Sequence, residues 1–407
     1  MAGEPVLWVL TVLGALAFTA AVASLVDGVR FRRHVLAARV WDRNAFLPPA
    51  LVLVPCRGVD ADLEANLDAI LSQAYPRHRV VFCVDRLDDA AVPAIERVRA
   101  RHPVPSEVAT ALDAPAIGGK GLALLGGLSI RAPEDEVVVF LDSDIRPPPR
   151  FLRALVQPLA HPEIGATTGY RWYVPSKEGF WSVVRSAWNG AGLNVFFSER
   201  YNFLWGGAWA IRRETLDRLD LKSLWQGTLS EDLAATAAIK AMGLRVRFVP
   251  QAVAPTFEDC DRRECREWTD RQTAMVALWG RDLRNFAALT YGVFDGTLVL
   301  GVLCTVLIAL MGPWFAVPAL LFLFDVPATI AKGEHRRRSV FLGTPELAVG
   351  WRVTAGTWAA ASLAVPWLIA GNLIRTRRVR AIEWRGKRYE VGPGTIGIAG
   401  EPAAPGK

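Results

Sequence analysis

The chain of 407 residues carries a formal net charge of +7 and is 52% hydrophobic, and it is long enough for two or three domains. Its five cysteines are odd in number and form no CxxC pair, which argues against a disulfide framework or a zinc site and suits a reducing cytosol. We exclude nucleic acid as a partner, because the basic residues cluster beside apolar segments and no RNA- or DNA-binding motif is present.

Three segments of the chain are strongly apolar. Residues 6–26 carry no charge and are long enough to cross a bilayer as a helix. A cleaved signal peptide is the alternative, but MAGEP at the start lacks the basic region that such a peptide needs. A second apolar block covers 297–324, interrupted at Gly312-Pro313, and a third covers 346–374. We therefore predict a membrane anchor at each end of the chain.

Arginine clusters flank the first and the last of these segments. The first cluster comprises Arg30, Arg32, Arg33, Arg39 and Arg43, and the second comprises Arg375, Arg377, Arg378 and Arg380. Basic residues beside a span mark its cytoplasmic side. This predicts an outside amino terminus, with the middle region and the carboxyl terminus inside. An even number of crossings must then follow the middle region, and the third segment either spans, re-enters or lies in the interface.

Strand and helix patterns alternate through the middle of the chain. The predicted elements, in chain order, are strand Ala50–Pro55, helix Asp62–Gln73, strand Arg79–Val84, helix Ala91–Arg101, helix Leu122–Ser129 and strand Val137–Leu141. This order predicts an α/β fold with a mostly parallel sheet and helices on both faces.

These patterns divide the chain into five parts. The predicted parts are a transmembrane anchor over 1–28, a basic linker over 29–49, a catalytic domain over 50–285, a membrane region over 286–380 and a cytosolic tail over 381–407. The tail is rich in glycine and proline from Gly392, so we expect disorder there.

Two aspartates follow the strand predicted over 137–141. Its five apolar residues have no polar break, as in a strand buried on both faces of a parallel sheet. Asp142 and Asp144 come directly after it, at the sheet edge where α/β folds bind ligands. Mg²⁺ is commonly held by one or two carboxylates and substrate phosphates. A divalent cation site is one interpretation, and a solvated turn is the other.

Polar turns also follow the first two strands. Arg57 comes after the first strand, and Asp85 and Asp89 come after the second. An acid at this edge can accept hydrogen bonds from a nucleobase or ribose, although a helix cap or a turn explains such residues equally well. Lys120 lies in a Gly-Gly-Lys-Gly sequence that lets backbone approach an anion, but the P-loop spacing is absent.

Glu231 and Asp232 open a predicted helix after Ser230. Acids in the first turn of a helix gain from the helix dipole, which is the structural interpretation. A general base at the helix start, facing the metal site, is the functional one. Upstream, the loop around Gly207 would let backbone approach a sugar.

A further polar stretch lies before the second apolar block. Here Arg266, Trp268, Arg271 and Gln272 could hold a diphosphate and stack on an acceptor. An amphipathic helix on the membrane surface, with arginines reaching the headgroups, is the alternative.

The stretch VPCRGVDADLEANLDAILSQAYPRHRVVFCVDRLDDAA resembles the amino-terminal catalytic segment of ceramide glucosyltransferases, within the family-2 type of glycosyltransferases. There a proline, a basic residue and Gly-Val-Asp precede a helix with Asn-Leu. A Tyr-Pro then leads to a strand that ends in Cys-Val and a group of acids. The closing IEWRGKRY is similar to the carboxyl-terminal tag of bacterial relatives. The resemblance covers about residues 45–290 and this tag.

The resemblance implies a GT-A fold with a Rossmann-like nucleotide half and an acceptor half. The family's lysine falls on Lys120, its metal-binding aspartate on Asp142, and its Glu-Asp pair, whose aspartate is the base, on Glu231 and Asp232. Asp142 and Asp144 would hold Mg²⁺ or Mn²⁺ with the diphosphate of a UDP-sugar donor.

The implied reaction is inverting transfer of a hexose to the hydroxyl of a membrane lipid, giving a β-glycolipid. The expected donor is UDP-glucose and the expected acceptor is ceramide or a related bacterial lipid. The resemblance places the protein in the bacterial inner membrane, with its catalytic domain facing the cytosol.

The chain departs from the family in its (Q/R)-x-x-R-W motif. Glu264 and Glu267 stand at the two basic positions before the tryptophan. Arg266, or Arg271 with Gln272, is the candidate replacement.

The second-strand turn leaves a choice between two acids. The family's nucleoside-binding aspartate maps best onto Asp89, although Asp85 is nearer the strand end. Both residues stay candidates.

Two other functions compete with lipid glycosylation. A processive polysaccharide synthase of the cellulose or hyaluronan type would need the intact motif and more membrane helices. A non-catalytic membrane scaffold would not need the acids to occur in the expected order.

Overall fold

The computed structural model describes residues 4–38, 46–60, 62–114, 117–177, 179–228, 230–279, 281–377, 379, 381–384, 387–392 and 395–398. The strands are β1 (Ala50–Cys56), β2 (His78–Val84), β3 (Ser106–Thr110), β4 (Val137–Leu141), β5 (Ile164–Tyr173), β6 (Ala208–Arg212), β7 (Arg245–Thr256), β8 (Ala381–Trp384), β9 (Lys387–Gly392) and β10 (Thr395–Ile398). The helices are α1 (Glu4–Ala38), α2 (Leu63–Leu71), α3 (Val92–Arg99), α4 (Gly119–Ser129), α5 (Phe151–Val156), α6 (Phe180–Ala191), α7 (Leu193–Phe196), α8 (Arg213–Asp217), α9 (Leu221–Trp225), α10 (Glu231–Ala241), α11 (Arg262–Trp279), α12 (Arg281–Met311), α13 (Ala316–Leu323), α14 (Asp325–Gly343), α15 (Glu346–Val349) and α16 (Ala355–Thr376). Short 3₁₀ turns cover Gln157–Ala160 and Pro313–Phe315.

Seven strands form one sheet in the order β3-β2-β1-β4-β6-β5-β7. The pairs β1–β2, β1–β4, β2–β3 and β5–β7 are parallel, whereas β6 runs antiparallel to both β4 and β5. The predicted α/β class with a mostly parallel sheet is therefore confirmed. Because β6 is reversed, it begins at the edge where β1, β2 and β4 end.

The sheet is covered on both faces, as the unbroken apolar strands predict. Along β1, Val52 and Val54 pack into the core on one face, and Leu51 and Leu53 pack into the core on the other. This alternation follows the period of two of a β-strand. All five residues of β4 are buried, so the residues directly after Leu141 are the first of this segment to leave the core.

The predicted elements differ from the observed ones mainly at helix starts. Helix α4 begins at Gly119 rather than at Leu122, which places Lys120 in its first turn. Helix α2 begins at Leu63, because Asp62 adopts a left-handed conformation with φ of 60°.

Four helical stretches among the described residues are long and apolar enough to cross a membrane: Glu4–Ala38, Ala287–Met311, Pro313–Gly343 and Ala355–Thr376. Helix α1 runs on to Ala38, so the predicted linker is helical over 29–38. The reason is packing, since Phe31 and Val35 are buried in a core cluster with Phe248 and Val253 of β7. Residues 39–45 of the predicted linker lie outside the described residues.

Helix α16 contacts the catalytic domain near both of its ends. Trp358 lies 6.0 Å, between ring centroids, from Trp172 of β5. Asn372 donates a hydrogen bond of 2.6 Å to Asp270 of α11, and Arg375 forms a salt bridge of 2.8 Å with the same carboxylate. The stretch between Trp358 and Asn372 spans about 21 Å at 1.5 Å per residue, so most of α16 lies along the domain.

The carboxyl-terminal tag forms a small antiparallel sheet in the order β10-β9-β8. The prediction of disorder from Gly392 onward is wrong for Thr395–Ile398, which pair with β9 through backbone hydrogen bonds. Residues 399–407 lie outside the described residues.

Candidate active site

The carboxyl ends of β1, β2 and β4 and the start of β6 open onto one cavity of about 1420 Å³. Asp142 and Asp144 follow β4 and line this cavity. The backbone N–H of Asp142 donates a hydrogen bond of 3.0 Å to the carbonyl of Gly207, directly before β6. This bond ties the end of the central strand to the glycine loop singled out in the sequence.

Arg171 of β5 bridges both aspartates. Its guanidinium contacts Asp144 at 2.6 and 2.9 Å and Asp142 at 3.1 Å. It also stacks over Trp205, 5.3 Å from the ring centroid. Arg171 is not among the site residues predicted from the sequence. The available signal was an arginine inside the aromatic strand sequence GYRWY, where a charged side chain needs a nearby partner.

Lys120 links Asp142 to Glu231 at the start of α10. Its Nζ lies 2.9 Å from Asp142 and 2.7 Å from Glu231, and it donates a 3.0 Å hydrogen bond to the carbonyl of Gly206. Burial alone would lower the pKa of Lys120, but the carboxylates of Asp142 and Glu231 outweigh it and raise this pKa. The predicted lysine therefore stays a fixed positive charge in the cavity.

Glu231 and Asp232 begin α10 and face the same cavity with different partners. Burial raises the pKa of Glu231, although its ion pair with Lys120 opposes that shift. Asp232 accepts hydrogen bonds from the Ser230 hydroxyl and the Leu233 N–H on Oδ1. Its Oδ2 accepts one from the Gly206 N–H at 2.6 Å.

The glycine loop before β6 has no room for side chains. A Cβ on Gly206 would lie 2.9 Å from Oδ2 of Asp232 and 3.1 Å from Oε1 of Glu231. A Cβ on Gly207 would lie 2.1 Å from the Trp205 ring. Both glycines are needed for the loop to approach the acids of α10.

The two acids after β2 occupy different positions. Asp85 lines the cavity and lies 3.5 Å from Arg57, which lines it as well. Asp89 does not line it. Its Oδ1 accepts backbone hydrogen bonds of 2.8 Å from Gly58 and from Ala91 at the start of α3. The structure thus favours Asp85 for ligand contact and gives Asp89 a positioning role in the β1 turn.

Helix α11 carries the predicted acceptor residues on its inner side. Trp268, Arg271 and Gln272 line the cavity, and Trp268 packs edge-on against Tyr173 at 5.2 Å and Trp188 at 5.4 Å.

The outer side of α11 explains the altered motif. Glu264 accepts the Asp261 N–H at the helix start, and Glu267 pairs with Arg263 at 2.7 Å. Both glutamates are exposed, as is Arg266. Of the two candidate replacements, only Arg271 with Gln272 lies at the cavity.

The carboxylates of the site fit a divalent cation. Asp142 and Asp144 present carboxylates to the cavity from positions two residues apart, and carboxylate oxygens are ligands that Mg²⁺ accepts. Within the described part of the chain, no cluster of three or more His, Cys, Asp or Glu residues could enclose a metal. Asp142 and Asp144 therefore suit the Mg²⁺-like mode, in which substrate phosphates complete the shell.

Comparison with known proteins places the chain in a family of glycosyltransferases. A family model described as Glycosyl transferase family 21 matches residues 9–396. The mannosyltransferase PcManGT from Pyrobaculum calidifontis, solved with GDP-Man and Mn²⁺, is 19% identical, with 90% of this chain and 97% of that chain covered and a TM-score of 0.47. Glucosyl-3-phosphoglycerate synthase from Mycobacterium tuberculosis, solved with Mn²⁺, UDP and glucosyl-3-phosphoglycerate, is 19% identical, with 56% and 79% covered and a TM-score of 0.37.

Proposed function

We propose that this chain, which belongs to glycosyl transferase family 21, transfers a hexose from a UDP-sugar to the hydroxyl of a membrane lipid. The family membership and the sheet order confirm a glycosyltransferase of GT-A fold. UDP-glucose as donor and ceramide or a related lipid as acceptor are the finer parts of the proposal.

One observation carries the lipid part of this proposal. The cavity that holds Asp142 and Asp144 is also lined by residues of the apolar helices, including Ala287 and Thr290 of α12 and Ile369 and Leu373 of α16. A continuous space from the carboxylates to membrane helices lets a lipid bring its hydroxyl to the donor without leaving the bilayer. A soluble acceptor would not need this extension.

The donor end holds the nucleotide sugar through fixed charges. Asp142 and Asp144 would hold Mg²⁺ or Mn²⁺, which when bound neutralises negative charge on the diphosphate. Lys120 and Arg171 add positive charge beside the same carboxylates. Preorganised charges of this kind stabilise a departing diphosphate without reorganising during the reaction.

Asp232 is proposed as the general base, and Oδ2 is the atom that takes the proton. Oδ1 already accepts two hydrogen bonds, whereas Oδ2 accepts one, from Gly206. A carboxylate oxygen has two lone pairs, so Oδ2 can still accept the acceptor hydroxyl. The hydroxyl oxygen bonds to sugar C1 as the bond from C1 to the diphosphate breaks, and the proton moves to Asp232. A single in-line displacement inverts C1 and gives a β-glycoside.

Glu231 is less suited to this role. Its carboxylate is buried and lies 2.7 Å from Lys120, so proton uptake there would disrupt an ion pair. We assign Glu231 to positioning Lys120 against Asp142.

The catalytic domain is proposed to face the cytosol of a bacterial cell, at the inner membrane. In α1, the basic residues Arg30, Arg32 and Arg33 follow the apolar stretch. Two further crossings of the bilayer core, which is about 30 Å thick, are provided by α12 and by the α13–α14 segment. The chain turns between them at Gly312, whose φ is 113°. Since α16 contacts the domain near both ends, it is proposed to lie at the interface. Two crossings after the domain return the carboxyl terminus to the cytosol.

Lipid extracts of cells with and without this protein test the proposal. We expect a new monohexosyl lipid, detected by mass spectrometry, in cells that produce the protein and not in cells that produce the Asp142→Ala variant. An unchanged lipid profile, with a new hexose polymer in the medium, would contradict lipid glycosylation.

A further inference from the structure

We call the part of the cavity lined by α1, α12 and α14 its membrane end, and cationic side chains line it. Lys332 and Arg336 of α14 and Arg284 of α12 all line it. Lys332 and Arg336 are four residues apart and so share one face of their helix. The acid Asp27 of α1 also lines this end, but it is paired with Arg30 at 3.0 Å.

The two arginines that follow Arg336 on α14, in contrast, each have an acidic partner. Arg337 and Arg338 form salt bridges of 2.7 and 2.6 Å with Glu334. Within the described ranges, neither Lys332 nor Arg336 forms a salt bridge. The polar contact of Arg336 is a long hydrogen bond of 3.4 Å to Oδ1 of Asn194. Lys332 interacts at longer range with Asp325, two turns earlier on α14.

Lys332 and Arg336 lie close to the catalytic domain. The Arg336 side chain passes within 3.6 Å of where a Cβ of Gly190 would stand, on α6 of the catalytic domain. The end of α14 is joined to the sheet, since Thr344 donates a hydrogen bond of 3.2 Å to the Pro250 carbonyl of β7. Lys332 and Arg336 therefore lie between the catalytic domain and the apolar half of the Pro313–Gly343 segment.

We propose that Lys332 and Arg336 bind an anionic group, of the phosphate class, on the acceptor lipid. Two like charges on one helix face in a partly desolvated cavity repel each other, and the longer-range interaction with Asp325 offsets only that of Lys332, so an anionic ligand would stabilise the pair. Ionisable residues held at a membrane boundary and facing a cavity mark ligand sites. The inference rests on the proposed function and, among the lipids which that function allows, favours an acceptor with both a hydroxyl and a phosphate-like group over neutral ceramide.

Binding of phosphatidylglycerol, which carries hydroxyls and a phosphate, tests the inference by native mass spectrometry of the purified full-length protein. We expect the Lys332→Gln/Arg336→Gln variant to bind it about tenfold more weakly than the wild type, as for loss of charge-assisted hydrogen bonds. The Lys332→Arg/Arg336→Lys variant should retain binding. Arg338→Gln is the matched control, because Arg338 is exposed and paired on the same helix, and it should also bind normally.

Two further measurements complete the test. The first distinguishes a lipid from free phosphate as the source of the anion, and the second distinguishes failure of this inference from failure of the proposed function. Inorganic phosphate at the same concentration should not displace phosphatidylglycerol, and displacement would mean a site for free phosphate. The double glutamine variant should keep its thermal stability without lipid, because the repulsion between the two cations is lost together with the weak contacts of Arg336 with Asn194 and of Lys332 with Asp325. Equal lipid binding by the wild type and this variant would overturn the inference, even if hexose transfer to ceramide were normal. Lipid binding as expected, without transfer to any lipid, would instead contradict the proposed function alone.

Discussion

The two ends of the cavity differ in how their charges are balanced. At the donor end, Lys120 and Arg171 each contact two carboxylates. At the membrane end, Lys332 and Arg336 have no such partners among the described residues. A tightly paired donor end is held in place before the donor arrives, whereas the membrane end, where Lys332 interacts with Asp325 only at longer range, gains more from a ligand. This difference supports the proposals of a preorganised nucleotide site and of an acceptor site completed by the lipid.

The largest expected effect comes from removing the carboxylates of the donor end. Asp142→Ala and Asp144→Ala should each abolish transfer, because each removes a carboxylate that would hold the cation and, through the cation, the diphosphate. Calorimetric titration with UDP-glucose and Mn²⁺ measures the loss. Asp88→Ala is a suitable control, because Asp88 is exposed and paired with Arg86. Near-normal donor affinity in both variants would remove these residues from the metal site.

Asp232→Asn separates chemistry from donor binding. General base catalysis typically supplies about 10²–10⁴-fold, so we expect kcat to fall by that factor while UDP-glucose affinity stays nearly unchanged. A purely structural role at the start of α10 would cost about 0.3–1 kcal/mol of stability and leave kcat intact. Single-turnover transfer to a lipid acceptor, beside donor titration of the same variant, distinguishes these results. A rate within about threefold of wild type would shift attention to Glu231.

Arg171→Met tests whether Arg171 competes with a metal ion for the carboxylates of Asp142 and Asp144. The guanidinium holds the same carboxylate oxygens that a cation needs, so its removal should raise the affinity for Mn²⁺ alone, by about tenfold for one lost competing ion pair. Arg185→Met is the control, because both arginines lie over the Tyr173 ring, Arg171 at 5.6 Å and Arg185 at 4.3 Å from its centroid, but Arg185 pairs with Glu258. Weaker Mn²⁺ binding in Arg171→Met would mean that the arginine orients the aspartates instead of competing with metal.

The smallest effect is expected on the outer side of α11. Glu267→Arg restores one basic position of the family motif, but this side chain is exposed and lies away from the cavity. Surface substitutions commonly change free energies by less than about 0.5 kcal/mol, so the transfer rate should stay within about twofold of wild type. A large gain in rate would show that α11 turns this face toward the substrate during the reaction.

Local sequence patterns predicted the parts of the site that depend on local structure. The apolar run 137–141 fixed the position of Asp142, and the two acids after Ser230 marked the start of the helix at Glu231. Arg171 could not be predicted in the same way, because its partners come from another strand and only the folded sheet brings them together.

Long-range packing explains why α1 continues beyond its apolar stretch. Arginines after residue 28 suggested a linker, but burial of Phe31 and Val35 against β7 keeps α1 helical to Ala38. The apolar character of α16 left spanning and interfacial positions open, and its contacts with Trp172 and Asp270 support the interfacial position proposed above.

The central claim is that one cavity brings a UDP-sugar and a membrane lipid together. Purified protein in phosphatidylcholine nanodiscs that contain either phosphatidylglycerol or ceramide, supplied with Mn²⁺ and UDP-glucose labelled with ¹³C in the sugar, tests it most directly. We expect the label to enter the lipid fraction as one hexose per lipid, with the β configuration at C1 by NMR. Label found only in free glucose or in a water-soluble polymer would contradict it.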